Sequence, residues 1–194
     1  MLPNIHIFGI QGSGKDTQAS RIAATYGLVH ISSGALFRSR MEIQDTVGIF
    51  LAKEIHAGRL LPDEFLYQVV EVALQRLPEG TGIVGAGIIR TLTQLEGLAP
   101  HWEKAGVAQP LGILLEVSPE VAMQRALDRR RSDDTAAALE ERFSAFNTQT
   151  KPVLDRLAEQ QSLIKVNGER SMDEVFADIQ AALATHLPTL HGTH

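Results

Sequence analysis

Five short apolar segments recur along the chain, and a longer stretch with helical periodicity separates each from the next. The segments are 4-NIHIF-8, 28-LVHI-31, 82-GIVGA-86, 111-LGILLEV-117 and 162-SLIKV-166. Strands that are apolar on both faces need cover on both faces, and intervening helices allow successive strands to run parallel. The alternation therefore predicts a three-layer α/β fold with a five-stranded parallel sheet.

The helical patterns between these segments have bounds that can be estimated from the spacing of apolar residues. They cover roughly 15–25, 34–41, 46–57, 63–76, 92–98, 119–129, 135–159 and 171–186. Because proline cannot donate the backbone hydrogen bond of a helix interior, we expect Pro152 to kink or restart the helix over 135–159.

Composition limits the classes of partner. The chain of 194 residues is long enough for one sizeable core. Its formal net charge of −5 argues against a general nucleic-acid or anionic-membrane binder, which needs a basic surface. The absence of cysteine excludes disulfides and cysteine zinc sites. With no basic leader and no apolar run approaching about 18 residues, we expect a cytoplasmic protein with no membrane partner.

A glycine-rich run, 9-GIQGSGKDTQ-18, directly follows the first apolar segment. Gly9, Gly14 and Lys15 fit the pattern G-x-x-x-x-G-K, in which backbone N–H groups and a lysine hold nucleotide phosphates at the start of a helix. Where that pattern has Ser or Thr for magnesium, this chain has Asp16. The run therefore predicts a phosphate-binding loop with an unusual carboxylate beside it.

Further motifs show a resemblance to the adenylate kinase-like nucleoside monophosphate kinases. GIQGSGKDTQA resembles that family's GPPGAGKGTQA, and the order and spacing of the other motifs agree over about residues 4–188. These motifs are 30-HISSGALFR-38, similar to HISTGDLLR; 57-AGRLLPDE-64, similar to AGKLVPDE; 85-GAGIIRTLTQ-94, similar to LDGFPRTxxQ; and 125-RALDRRRSDDT-135 with Arg142, similar to the arginines in and after the family's lid.

The resemblance implies one P-loop NTPase-type kinase domain over 1–188 with sheet order 2-3-1-4-5. It further implies an acceptor-binding insertion over 32–61, a residual lid turn over 129–134 and a tail over 189–194. The implied reaction moves the γ-phosphoryl group of ATP, bound with Mg²⁺, to a nucleoside monophosphate. In the family RTxxQ accompanies adenine, so the 90-RTLTQ-94 of this chain implies AMP as acceptor. We expect a monomer that binds these two nucleotides.

The resemblance also assigns roles to single residues, and many are arginines, whose planar fork binds phosphate oxygens in pairs. The implied ATP-binding residues are Gly12, Ser13, Gly14, Lys15, Asp16, Thr17, Arg125, Arg129 and Arg170. The implied AMP-binding residues are Ser33, Arg38, Arg59, Leu60, Leu61, Gly87, Arg90, Gln94, Arg131 and Arg142. The implied catalytic residues are Lys15, Arg90, Arg131 and Arg142.

Two acids of the family pattern are missing, because Ala35 replaces the acid of TGD and Ala86 replaces that of DGFPR. Asp16 is therefore a candidate magnesium-holding residue, since Mg²⁺ prefers oxygen ligands. A second interpretation is that Asp16 only favours the helix dipole and points to solvent. The loss of both acids also keeps open a protein that binds nucleotides with little catalysis, and another monophosphate remains an alternative acceptor.

The lid of this chain is very short. Arg129 and Arg131 are only two residues apart, so we expect a turn without a zinc site where some family members carry a zinc-holding domain. Asp133 and Asp134 follow at once, and they either orient the lid arginines or, in the case of Asp134, cap the next helix.

Overall fold

A five-stranded parallel sheet forms the centre of the computed structural model, which describes residues 1–43, 45–57, 59 and 61–187. The strands are β1 (Asn4–Phe8), β2 (Val29–Ser32), β3 (Ile83–Ala86), β4 (Leu111–Glu116) and β5 (Leu163–Asn167). Each overlaps one of the predicted apolar segments. Their spatial order is β2-β3-β1-β4-β5, which confirms the predicted fold class and strand order.

Helices connect these strands in the described residues. They are α1 (Lys15–Tyr26), α2 (Ser33–Met41), α3 (Thr46–His56), α4 (Asp63–Gln75), α5 (Leu92–Lys104), α6 (Pro119–Asp128), α7 (Ala136–Ala145), α8 (Lys151–Glu159) and α9 (Met172–His186). The predicted end of the fifth helix at 98 is wrong. This helix continues past the exposed Pro100 because Trp102, on its inner side, is fully buried.

The helix predicted over 135–159 is divided by a π-helical segment, Phe146–Thr150. At its end the amide of Lys151 donates to the carbonyl of Phe146, five residues back. Pro152 has no amide hydrogen for a regular helical bond and lies at the second position of α8. The restart predicted at this proline is therefore observed, and the wider turn before it is an additional feature.

Two apolar clusters cover the two faces of the sheet. One contains Val70, Leu98 and Leu157 from α4, α5 and α8. The other contains Ile22 and Ile179 from α1 and α9. Helices therefore lie on both sides, as the continuous apolar character of the strands predicts.

The strand register places three chain segments together at one edge of the sheet. Ile7 of β1 pairs with Ala86 of β3, and Ser32 of β2 pairs with the same Ala86. The loops that follow these strands therefore leave side by side at the carboxyl ends, where open α/β sheets bind ligands. The hydroxyl of Ser33 donates to the carbonyl of Gly87 at 2.7 Å, which joins two of these loops.

The predicted insertion over 32–61 contains α2 and α3, between β2 and α4. Leu60 of the predicted AMP-binding set and the predicted tail over 189–194 lie outside the described residues. Among the described residues, no helix has both the length and the apolar character needed to cross a membrane.

Candidate nucleotide-binding site

The glycine-rich loop passes from β1 to α1 with backbone angles that side chains disfavour. Gly12 has a φ of 92°, and a Cβ there would lie 2.1 Å from the carbonyl oxygen of Ala122. Gly14, with a φ of 95°, is the N-cap of α1. The sequence therefore needs glycine at these positions so that the loop can turn into the helix and expose its first N–H groups.

Lys15 lies at the base of the pocket and donates from Nζ to the carbonyl of Ile10 at 2.8 Å. Burial lowers the pKa of its ammonium to about 7, and the positive charge of Arg90 adds to this effect while Asp16 opposes it. The lowered pKa therefore reflects mainly the burial of the ammonium, and the charges of the nearby arginines add to it.

Arg90 lies in the loop after β3, three residues beyond Gly87, and is held on two sides. Its Nε donates to the carbonyl of Gly87 at 3.0 Å, and its carbonyl accepts from the hydroxyl of Thr150 at 3.0 Å. Burial lowers the pKa of Arg90 to about 10, with a further contribution from the charge of Arg142. The guanidinium remains charged at neutral pH and is fixed at the carboxyl edge of the sheet.

Two buried aspartates hold Arg129 and Arg142, which lie on either side of the short connection between α6 and α7. Arg142 donates to Asp133 Oδ2 at 3.0 Å and to Asp134 Oδ1 at 3.1 Å, and Arg129 Nε donates to Asp134 Oδ2 at 2.6 Å. Burial alone raises the pKa of Asp134, but the hydrogen bond and charge of Arg129 outweigh burial and lower it. The orienting interpretation of Asp134 agrees with these contacts. The capping one is wrong, because Thr135 caps α7.

One pocket brings together nearly the whole predicted acceptor set. It is lined by nine of the ten predicted AMP-binding residues, namely Ser33, Arg38, Arg59, Leu61, Gly87, Arg90, Gln94, Arg131 and Arg142, together with Lys15 and Asp16. Burial lowers the pKa of Arg131, and the neighbouring charges of Arg129 and Arg38 lower it further. The pocket therefore combines several positive charges with a buried amide, that of Gln94.

The other predicted ATP-side residues lie away from this pocket. Arg125 donates to the carbonyls of Gly168 at 2.7 Å and Glu169 at 2.9 Å, beside the turn between β5 and α9. Arg170 pairs with Asp178 of α9. Thr17 is exposed in the first turn of α1 and lines an adjoining groove, which shares Asp16, Ser32, Arg38 and Arg131 with the pocket.

Asp16 forms contacts with β2 at the rim of the pocket. Its Oδ1 accepts from the hydroxyl of Ser32 at 2.6 Å and lies 4.0 Å from His30 Nε2. Its side chain is 42% exposed, so it is reachable from solvent but held in place. The described residues contain no group of three or more His, Cys, Asp or Glu side chains that could hold a metal on their own.

Sequence reasoning missed the residue that holds Gln94. Gln94 Nε2 donates to Asp63 Oδ1 at 2.7 Å, while Gln94 Oε1 accepts from the amide of Arg90 at 2.8 Å. Asp63 lies within the motif 57-AGRLLPDE-64, but nothing in the local spacing links it to a glutamine 31 residues later.

Comparisons with known proteins agree with this geometry. A family model described as adenylate kinase matches residues 7–162. The chain belongs to the adenylate kinase family. It is 33% identical to an adenylate kinase of Phocaeicola vulgatus over 93% of this chain and 97% of that protein. It is 35% identical to an adenylate kinase of Synechococcus sp. over 94% of this chain and 96% of that protein. It is 30% identical to adenylate kinase 1 of Nostoc sp. over 91% of this chain and 96% of that protein. The protein is thus a phosphotransferase of the nucleoside monophosphate kinase type.

We expect nucleotide binding to be coupled to proton uptake by Lys15. Its pKa of about 7 leaves the side chain mostly neutral at a pH of roughly 8.5, and nearby phosphates raise that pKa because they favour the ammonium form. ATP affinity should therefore fall as the pH rises above about 7. Calorimetric titration of ATP in two buffers of different ionisation enthalpy measures the uptake, which should approach one proton. Equal uptake by Lys15→Met would contradict this assignment.

Proposed function

We propose that this kinase transfers the γ-phosphoryl group of ATP to AMP and yields two molecules of ADP. The observation that carries the proposal is the single pocket in which Lys15, Arg90, Arg131 and Arg142 surround a cavity that also contains Gln94. The relatives named adenylate kinase support the same assignment.

The arrangement suits a reaction between two polyanions. ATP and AMP repel each other, so the protein must hold both in line and neutralise the charge on the oxygens of the transferred group. We assign Arg38 and Arg90 to the acceptor phosphate, and Arg131 and Arg142 to the region between acceptor and donor. Lys15 and the N–H groups of residues 12–17 bind the donor phosphates, with Arg129 on the side of the lid turn.

The nucleosides are assigned to the outer parts of the site. Gln94, with Ser33 and the segment from Arg59 to Leu61, contacts the AMP base. Arg125 and Arg170 flank the ATP base near the turn between β5 and α9, where Arg125 already contacts two carbonyls. Arg170 must exchange its contact with Asp178 for the nucleotide to take part.

Closure of the site depends mainly on the insertion over 32–61, because the connection between α6 and α7 is short. Arg142 Nη2 donates to the carbonyl of Ile55 in α3 at 2.9 Å. This contact ties the insertion directly to a residue assigned to the transferred phosphoryl group. Movement of α3 therefore changes the position of a catalytic arginine, which couples acceptor binding to assembly of the site.

Magnesium enters this site as part of the ATP substrate, and Asp16 fits a role in holding it. Mg²⁺ keeps several waters and takes one or two carboxylates besides phosphate oxygens, so a single acid is a sufficient protein ligand. The Asp16 carboxylate follows Lys15, lines the same pocket and is fixed by Ser32. We propose that it replaces the acids absent at Ala35 and Ala86.

A second candidate function is nucleotide binding with weak catalysis. It is favoured by Ala35 and Ala86, which leave an exposed position in the first turn of α2 and the buried end of β3 without the acids of the family pattern. The grouped arginines favour catalysis instead, because a binding protein has no need of cations between donor and acceptor phosphates.

The acceptor is tested by a coupled assay of purified protein with ATP, Mg²⁺ and each nucleoside monophosphate. We expect kcat/KM for AMP to exceed that for CMP and UMP by roughly two orders of magnitude, because the smaller pyrimidine ring does not bring its polar edge to the Gln94 amide, and uracil also lacks the amino donor. A kcat/KM for CMP or UMP equal to that for AMP would defeat the assignment. Nucleotide binding without turnover of any monophosphate would support the second candidate.

Replacement of Asp16 by Gly, the residue of the family pattern, tests the proposed magnesium role. We expect a lower kcat and a weaker magnesium dependence, with tighter ATP binding in the absence of magnesium because a negative charge near the phosphates is removed. Magnesium titrations of turnover and of ATP binding measure these effects. Overlapping curves for Asp16→Gly and wild type would leave Asp16 without a metal-holding role. Recovery of kcat on adding Ala86→Asp to the variant would tie both positions to one task.

A further inference from the structure

We propose that Asp63 is a specificity-determining residue that fixes the orientation of the Gln94 amide and thereby selects a 6-aminopurine over a 6-oxopurine acceptor. This inference rests on the proposed function, in which Gln94 contacts the base of AMP. Asp63 acts through Gln94 and is a positioning residue, because it does not line the acceptor pocket itself.

The contact joins the starts of two helices. Asp63 is the first residue of α4, and Gln94 lies in the first turn of α5. Gln94 is only 4% exposed, so its amide has little access to water and depends on partners within the protein. Both polar atoms of the amide have a partner. Nε2 donates to Asp63 Oδ1 at 2.7 Å, and Oε1 accepts from the backbone amide of Arg90 at 2.8 Å.

These two partners leave one possible orientation of the amide. A backbone N–H can only donate, so Gln94 must present its oxygen to Arg90. An ionised carboxylate can only accept, so Gln94 must present its nitrogen to Asp63. A 180° flip would set two donors against each other at Arg90 and two acceptors against each other at Asp63. The amide therefore cannot adapt to a different base without the loss of both hydrogen bonds.

After these bonds, Gln94 keeps one N–H and one oxygen lone pair for the pocket. Adenine fits this pair through its N1 edge, because its 6-amino group donates and the adjacent ring nitrogen N1 accepts. Hypoxanthine has an oxygen acceptor at position 6 and an N–H at position 1, so the order of donor and acceptor along that edge is reversed. Only a flipped amide would match it, and Asp63 opposes the flip.

The substitution Asp63→Asn removes this restriction and keeps the shape of the side chain. The amide that it introduces can present either oxygen or nitrogen, so this amide and that of Gln94 can flip together. The Arg90 amide still prefers the original orientation, and selectivity should therefore fall in part. Glu64→Gln is the matched control, because it removes the same charge from the same first turn of α4 and the Glu64 side chain is exposed.

The test compares AMP with IMP, which differs from AMP at position 6 and in the proton on N1. We expect wild type to prefer AMP by roughly 100-fold in kcat/KM, in line with the loss of a paired amide contact. In Asp63→Asn the ratio should fall by at least about fivefold, mainly through a gain with IMP. Asp63→Ser, whose hydroxyl both donates and accepts, should lower it as well and serves if the first variant is unstable.

The outcomes separate this inference from the proposed function. A wild-type preference for IMP over AMP would overturn both. A wild-type preference for AMP with an unchanged ratio in Asp63→Asn and Asp63→Ser would overturn only the role of Asp63. An equal fall in Glu64→Gln would also overturn it, because the effect would then come from charge at the start of α4. A lower unfolding temperature with an unchanged ratio would show that Asp63 only stabilises that helix.

Discussion

The structure depends on holding several like charges close together at the carboxyl edge of one parallel sheet. Lys15, Arg90, Arg129 and Arg142 are close enough that the charges of the three arginines lower the pKa of Lys15. Such a cluster is unfavourable unless anions offset it. Asp133 and Asp134 supply part of the negative charge, because they are buried partners of Arg129 and Arg142. Asp16 opposes the effect of the arginines on Lys15 as well. Bound phosphates would offset the positive charge that remains, so the same imbalance that opposes folding favours the substrates.

Because the cluster is shared, the parts of the site are linked. Asp134 accepts from Gln11 of the phosphate-binding loop as well as from Arg129 and Arg142. Arg142 in turn reaches the insertion through the carbonyl of Ile55. Asp134 and Arg142 therefore connect the glycine-rich loop, the turn after α6 and the segment over 32–61. We propose that this polar network positions the arginines, because the connection between α6 and α7 is short.

The apolar runs allowed the strands to be predicted, and the resemblance of the motifs to the adenylate kinase-like family implied the strand order and most of the residues that line the pocket. The π-helical segment at Phe146–Thr150, which directly precedes α8, was not predicted, because apolar spacing does not distinguish it from a regular helix. The hydrogen bond between Asp63 and Gln94 was missed because it joins positions distant in sequence. The contact of Asp16 with Ser32 likewise depends on the packing of α1 beside β2.

The central claim is that these cations stabilise charge that develops during phosphoryl transfer. The most direct measurement is the single-turnover rate of γ-phosphoryl transfer from ATP to AMP in Arg90→Ala at saturating concentrations of both nucleotides. Loss of a preorganised charged donor predicts a fall of at least about 100-fold, with an unfolding midpoint close to that of wild type. A transfer rate within about threefold of wild type, in a variant that binds both nucleotides, would contradict the account.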